Sequence, residues 1–199
     1  MNHPALEVIE NTVRNAIARV GHMAYNTGQV ATMTIGTVPR PSTDAARKDL
    51  DRFRQYLERG APGPHAYVIL LGLEAFDYPD LVQAVTKGLP YRTFERFRRN
   101  TSLSFERIAD LIDIPRRTMT RRKREGRFLP DESDRLLRAS RLLGKTLELF
   151  EGDMAAAVEW LMTAQPGLGG SVPLDIARSE LGAREVERLV SRLEHGVFS

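Results

Sequence analysis

The sequence predicts an all-α protein, and three observations carry that expectation. Beyond residue 70 no stretch alternates apolar and polar residues as a half-buried strand would. Apolar residues recur instead at i, i+3, i+4 and i+7, the spacing that gathers them on one helix face. Helix starts and stops such as Ser104, Pro115, Gly88 and Gly126 bracket these segments.

The elements follow in chain order. Val8, Ile9, Val13, Ile17 and Val20 mark a short amphipathic helix over residues 4–20. Residues 26–44 (NTGQVATMTIGTVPRPSTD) have no period and read as a linker or disordered stretch. A helix is expected over 44–59, and GAPGP at 60–64 breaks the chain. Residues 1–64 are therefore expected to form an accessory N-terminal arm, partly flexible. HAYVILLGLEAF, from residue 65, is a short buried strand or helix, which periodicity alone does not decide. PDLVQAVTKGLP predicts a helix with Leu81, Val82 and Val85 on one inward face and Gly88 as its stop. YRTFERFRRNTSLS pairs Phe94 with Phe97 inward and sends Arg92, Arg96, Arg98 and Arg99 outward.

Composition narrows the function classes. With 42% apolar and 28% charged residues in 199, the chain is an ordinary soluble globular protein with room for one or two domains. Its longest apolar run, Tyr67–Leu73, falls far short of the roughly 20 residues that span a bilayer. Glu7, Glu10, Arg14 and Arg19 interrupt the start, so no secretory signal is expected and the cytoplasm is the expected location. The absence of cysteine excludes disulfides, thiolate metal sites and thiol catalysis. The histidines at 3, 22, 65 and 195 are scattered and no nucleophile elbow occurs, so neither an enzyme nor a metal or cofactor site is expected.

Charge is segregated beneath the net +3. Residues 1–89 carry 9 basic and 9 acidic side chains, residues 90–145 carry 16 and 8, and residues 146–199 carry 4 and 9. A basic middle followed by an acidic end points to two partners, one of them a polyanion.

The basic middle holds SFERIADLIDIPRRTMTRRKREGRF, residues 104–128. Ser104 suits the cap of a first helix whose inward face is Ile108, Ala109, Leu111 and Ile112. Asp113-Ile114 makes the turn, Pro115 suits the first position of a second helix, and Gly126 ends it. With Met119 inward, a rotation of about 100° per residue sets Arg117, Thr118, Thr120, Arg121 and Arg124 on the opposite face. That is the layout of a helix-turn-helix that reads DNA, with Arg donors for guanine edges and Thr for bases or phosphates. Arg116, Arg122 and Lys123 lie nearer the flanks, where phosphates are expected. Dimerisation is expected too, since one such helix covers few base pairs.

The acidic end begins within a long helix over 131–150, capped by Asp131, with Leu136, Leu143, Leu147 and Phe150 inward. A short helix follows with Ala156, Trp160 and Leu161 available for packing, and Trp160 is expected in the core. Gly167, Gly169 and Gly170 form a tight turn rather than a phosphate loop, because no strand precedes them and no Lys-Ser/Thr follows. Pro173 opens a helix that Gly182 closes, and a last helix carries Val186, Leu189, Val190 and Leu193 to Gly196.

Several motifs now stand in sequence: GLP at 88–90, RRT at 116–118, ESDRLLR at 132–138, A-x-x-WL at 157–161, LGG-x-x-P at 168–173, LG-x-x-x-V at 181–186 and LEHGV at 193–197. Over residues 65–199 the chain resembles the Xre/MbcA/ParS-like antitoxins. The resemblance implies an Xre-like helix-turn-helix domain over 65–145 and a small helical toxin-binding domain over 146–199. It implies a RES-domain toxin that consumes NAD as partner, operator DNA as the second partner, and repression of the antitoxin's own operon. By position it assigns DNA contacts to Arg116, Arg117, Thr118, Thr120, Arg121, Arg122 and Arg124. Toxin contacts would fall on Gly169, Gly170, Leu193, Glu194, His195, Gly196, Val197, Phe198 and Ser199. A stand-alone helix-turn-helix regulator with a ligand- or dimer-forming C-terminal domain is the alternative that the residues leave open.

Overall fold

The computed structural model describes residues 44–59, 65–74 and 77–195. The helix read over residues 4–20 and the linker after it lie outside these. Nine α-helices and two 3-10 turns make up the described residues, and two isolated β-bridges are the sole extended pairings among them.

α1 (Asp44–Arg59) buries Ala46, Leu50 and Phe53, one stripe at helical spacing, with Asp44 and Arg59 matching the helix dipole at its two ends. The stretch HAYVILLG resolves as a 3-10 helix, Ala66–Leu71, stopped by Gly72 in the left-handed conformation. Every residue of it except Tyr67 is buried, so no polar face existed from which a period could be read. α2 (Tyr78–Lys87) is capped by Asp77, whose carboxylate accepts from the Asp80 amide at 3.0 Å.

α2 corrects the expected inward trio. Only Leu81 is buried; Val82 is exposed and Val85 half-buried, because the helix lies on the body along a narrow edge. Gly88 then admits no side chain: its φ is +82°, and a Cβ would stand 2.2 Å from the Phe128 carbonyl. α3 (Tyr91–Thr101) buries Phe94 and Phe97 as expected. Arg96 departs from its outward place and pairs with buried Asp49 of α1, whose other donor is Asn100 Nδ2 at 2.8 Å.

α4 (Phe105–Leu111) and α5 (Arg116–Glu125) follow, then α6 (Pro130–Leu149), the longest helix. Asp131 does not cap α6. Leu129 holds the cap position, and its amide donates to Glu132 at 2.8 Å. Gly144 lets the 3-10 helix cross α6 closely, since a Cβ there would sit 2.5 Å from that of Tyr67.

α7 (Met154–Met162) buries Trp160 and Leu161. α8 (Pro173–Ile176) is a single turn, and α9 (Glu180–Glu194) is the last helix. Gly182 therefore closes nothing. It sits in the first turn of α9, its amide donating to the Ser179 cap, where a Cβ would meet the Ile176 carbonyl at 1.9 Å.

One apolar cluster runs from Leu50 to Val190 and takes buried residues from every described α-helix except α2, whose Ala84 packs against it from outside. α1 belongs to it through Leu50 and Phe53, so this part of the expected arm packs on the body. Arg54 adds a second tie, donating to the Gly152 carbonyl at 3.0 and 3.2 Å.

Candidate nucleic-acid interface

The first helix of the motif, α4, starts where Ser104 accepts from the Arg107 amide at 3.1 Å. Ile108 and Ile112 are fully buried, and small Ala109 takes a hydrogen bond from the Ile114 amide at 2.9 Å, closing the turn. Asp113 makes that turn at φ +50°, a left-handed conformation that aspartate tolerates better than most side chains. Pro115 caps α5 without needing an amide hydrogen, and Gly126 ends it at φ +78°.

Met119 is the apolar anchor of α5 and is completely buried. On the other side Arg117, Thr118, Thr120, Arg121 and Arg124 together line one open concavity of about 520 Å³. Those five are the residues placed there by helical rotation from the sequence. No carboxylate lines the concavity, and Arg117 and Arg124 have no ion-pair partner among the described residues. Arg121 lies 3.9 Å from Glu125, a loose contact. The surface thus offers three guanidinium donors on a rigid helix, the requirement for contacting base edges or phosphates.

The flanking residues divide. Arg116 leans back toward α4, 3.3 Å from Glu106 and over the Phe105 ring. Lys123 is 3.7 Å from Glu95. Arg122 corrects its expected place among the phosphate-facing flanks, because it is buried. Its Nε and Nη2 donate to Glu132 at 2.6 and 2.9 Å, and Nη1 donates to Glu125 at 2.5 Å. The hydrogen-bonded carboxylate of Glu132 holds the guanidinium above its ordinary arginine value, overcoming the desolvation that opposes charge. Arg122 fastens the back of α5 to the start of α6. Sequence reasoning missed this pair, because Glu132 lies ten residues on, between Asp131 and Asp134, with nothing local to single it out.

In the C-terminal module the glycine turn is as expected: Gly169 and Gly170 are exposed at φ +62° and +79°, beneath a bridge between Gln165 and Ser171. Gly167 seats the turn on α9, where a Cβ would press on Leu189 at 2.8 Å. Leu193 packs partly against the core, whereas Glu194 and His195 are exposed. Gly196, Val197, Phe198 and Ser199 lie outside the described residues.

Comparison with known proteins accounts for both halves. Residues 80–141 match the antitoxin Xre-like helix-turn-helix domain, and residues 146–196 match the antitoxin Xre/MbcA/ParS C-terminal toxin-binding domain. The Antitoxin Xre of Yersinia enterocolitica is 37% identical over 130 residues, covering 65% of this chain and 88% of that protein. The chain belongs to the Xre/MbcA/ParS antitoxin family. The Antitoxin Xre of Photorhabdus laumondii is similar at 30% identity with the same coverage. As a toxin–antitoxin component with a helix-turn-helix, this antitoxin places the basic face of α5 in the first matched domain and the glycine turn with α9 in the second. Helix α1 precedes both matched ranges. No helix among the described residues is long and apolar enough to cross a membrane.

Proposed function

We propose that this antitoxin represses its own operon through α5 and neutralises a RES-domain, NAD-consuming toxin through its C-terminal module. The observation that supports the first half is the concavity shared by Arg117, Thr118, Thr120, Arg121 and Arg124, opposite the buried Met119. Arg117, Arg121 and Arg124 read or grip the major groove; Arg116 reaches the adjoining phosphate by leaving its exposed partner Glu106. Arg122 takes no part in contact and sets the angle of the helix. Two copies bind together, so that two half-sites are covered at once.

The second half rests on the match to a toxin-binding domain, and the exposed Gly169-Gly170 turn, Leu193–His195 and the residues after them are its proposed contact surface. The test is co-expression with the RES-domain protein of the same operon, scoring growth rescue, co-purification and retardation of promoter DNA. Rescue with co-purification and a salt-sensitive DNA shift is the expected result, the log–log slope being about −0.9 per phosphate neutralised. DNA binding without rescue would leave only a regulator.

A further inference from the structure

Residues 146–199 carry 9 acidic and 4 basic side chains, yet three of the four bases, Arg184, Arg188 and Arg192, stand at four-residue steps on α9. Each such step rises about 6 Å and keeps the side chains on one helix face. With Lys145 of α6, Glu187 and Ser191 they line one concavity of about 470 Å³.

The carboxylate in this groove is already occupied. Glu187 is largely buried and accepts from Arg141 Nε at 2.8 Å and Lys145 Nζ at 3.3 Å. Arg184 and Arg188 hold only exposed partners on their own helix, Glu180 at 2.8 Å and Glu185 at 3.2 Å. Exposed pairs of this kind contribute little and exchange readily for an incoming carboxylate. Arg192 has no ion-pair partner among the described residues. An acidic module has collected three of its four cations in one groove.

We propose that the α6–α9 groove receives an Asp/Glu-rich segment of the toxin, an inference that rests on the toxin-binding reading above. The charge around the groove selects against DNA. A long polyanion would run on past the groove over the module's surplus acids, whereas a short carboxylate cluster on a folded partner ends within the span of Arg184, Arg188 and Arg192. Charge pairing of this kind sets encounter rate and partner choice. Arg192 directly precedes Leu193, so the groove continues into the stretch assigned to toxin contact.

The test titrates the full-length antitoxin with the RES-domain toxin of its operon by calorimetry at two salt concentrations, with operator DNA binding measured in parallel. Replacing Arg184, Arg188 and Arg192 together by Gln is expected to weaken toxin binding about tenfold or more and to flatten its salt dependence. Replacing all three by Lys keeps the charge and is expected to stay within about threefold of wild type. Operator affinity should be unchanged in both, which also shows that they fold. Toxin affinity unchanged by the Gln set would overturn the proposal, as would equal losses in the Gln and Lys sets. Lost operator binding with toxin binding retained would assign the groove to DNA instead. Should wild type capture no toxin at all, the toxin-binding reading itself fails, a result distinct from all of these.

Discussion

The two sides of α5 use the same residue type for opposite purposes. On its front, Arg117, Arg121 and Arg124 stand in solvent around one concavity. On its back, one residue from Arg121, Arg122 is buried among Glu132, Glu125 and the Leu129 amide that shares Glu132. Guanidinium groups in water cost the fold nothing and stay free for a polyanion. A buried guanidinium must be fully paired, and once paired it fixes a geometry. Basic residues along one helix are therefore not one class, and the count of seven between Arg116 and Arg127 overstates those that a polyanion could meet.

Four experiments test how far this contrast holds. The largest effect is expected on the back: Arg122→Ala leaves the Glu132 carboxylate buried and unpaired, costing about 3–5 kcal/mol of stability. Thermal denaturation measures it, and a loss below about 1 kcal/mol would show that the pair is not fastening the helix.

On the front, Arg117→Ala with Arg121→Ala should leave unfolding within about 0.5 kcal/mol of wild type. Operator affinity should fall about 100-fold, from contacts of about 1–3 kcal/mol each. A gel-shift titration reads this, and undiminished binding would remove α5 from the groove. Glu125 stands on the border, touching Arg122 at 2.5 Å and Arg121 at 3.9 Å. Glu125→Gln should cost about 0.5–1.5 kcal/mol of stability while raising operator affinity slightly, because Arg121 is released and a negative charge leaves the DNA face. Weaker DNA binding would mean that Glu125 aims Arg121.

The smallest effect belongs to an exposed pair. Hydrogen bonds from Arg184 and Arg138 hold the Glu180 carboxyl below its ordinary value of 4.5. A depressed folded value means that its stabilisation is present above the unfolded value and is lost as pH falls through the folded one. Because Glu180 is about half exposed, the contribution should stay within about 1 kcal/mol. The melting difference between wild type and Glu180→Gln should shrink toward zero from about pH 6 to about pH 3. A difference independent of pH would assign the effect to packing.

What the sequence revealed and what it hid follow from one distinction. Helical rotation about Met119 and the Ser104, Pro115 and Gly126 signals are local, so the motif and the five residues of its outer face could be placed from spacing alone. The Glu132 partner of Arg122 lies on another helix, as does the Asp49 partner of Arg96, and no local period announces such pairs. The exposure of Val82 was hidden for the same reason, since it depends on what the helix packs against. The LGG turn was legible through its backbone demands, with two consecutive positive φ values. Its approach to Leu189 was not.

α6 is one unbroken helix from Pro130 to Leu149, and the two matched domains meet inside it, between residues 141 and 146. A chimera joined at that seam would inherit half a rod from each parent, with Leu142, Leu143 and Leu147 asked to fit cores they did not evolve beside. Shuffling of DNA specificity and toxin specificity among such antitoxins should therefore leave crossovers at the flanking turns, near Gly126 or Gly152, rather than at the domain border itself.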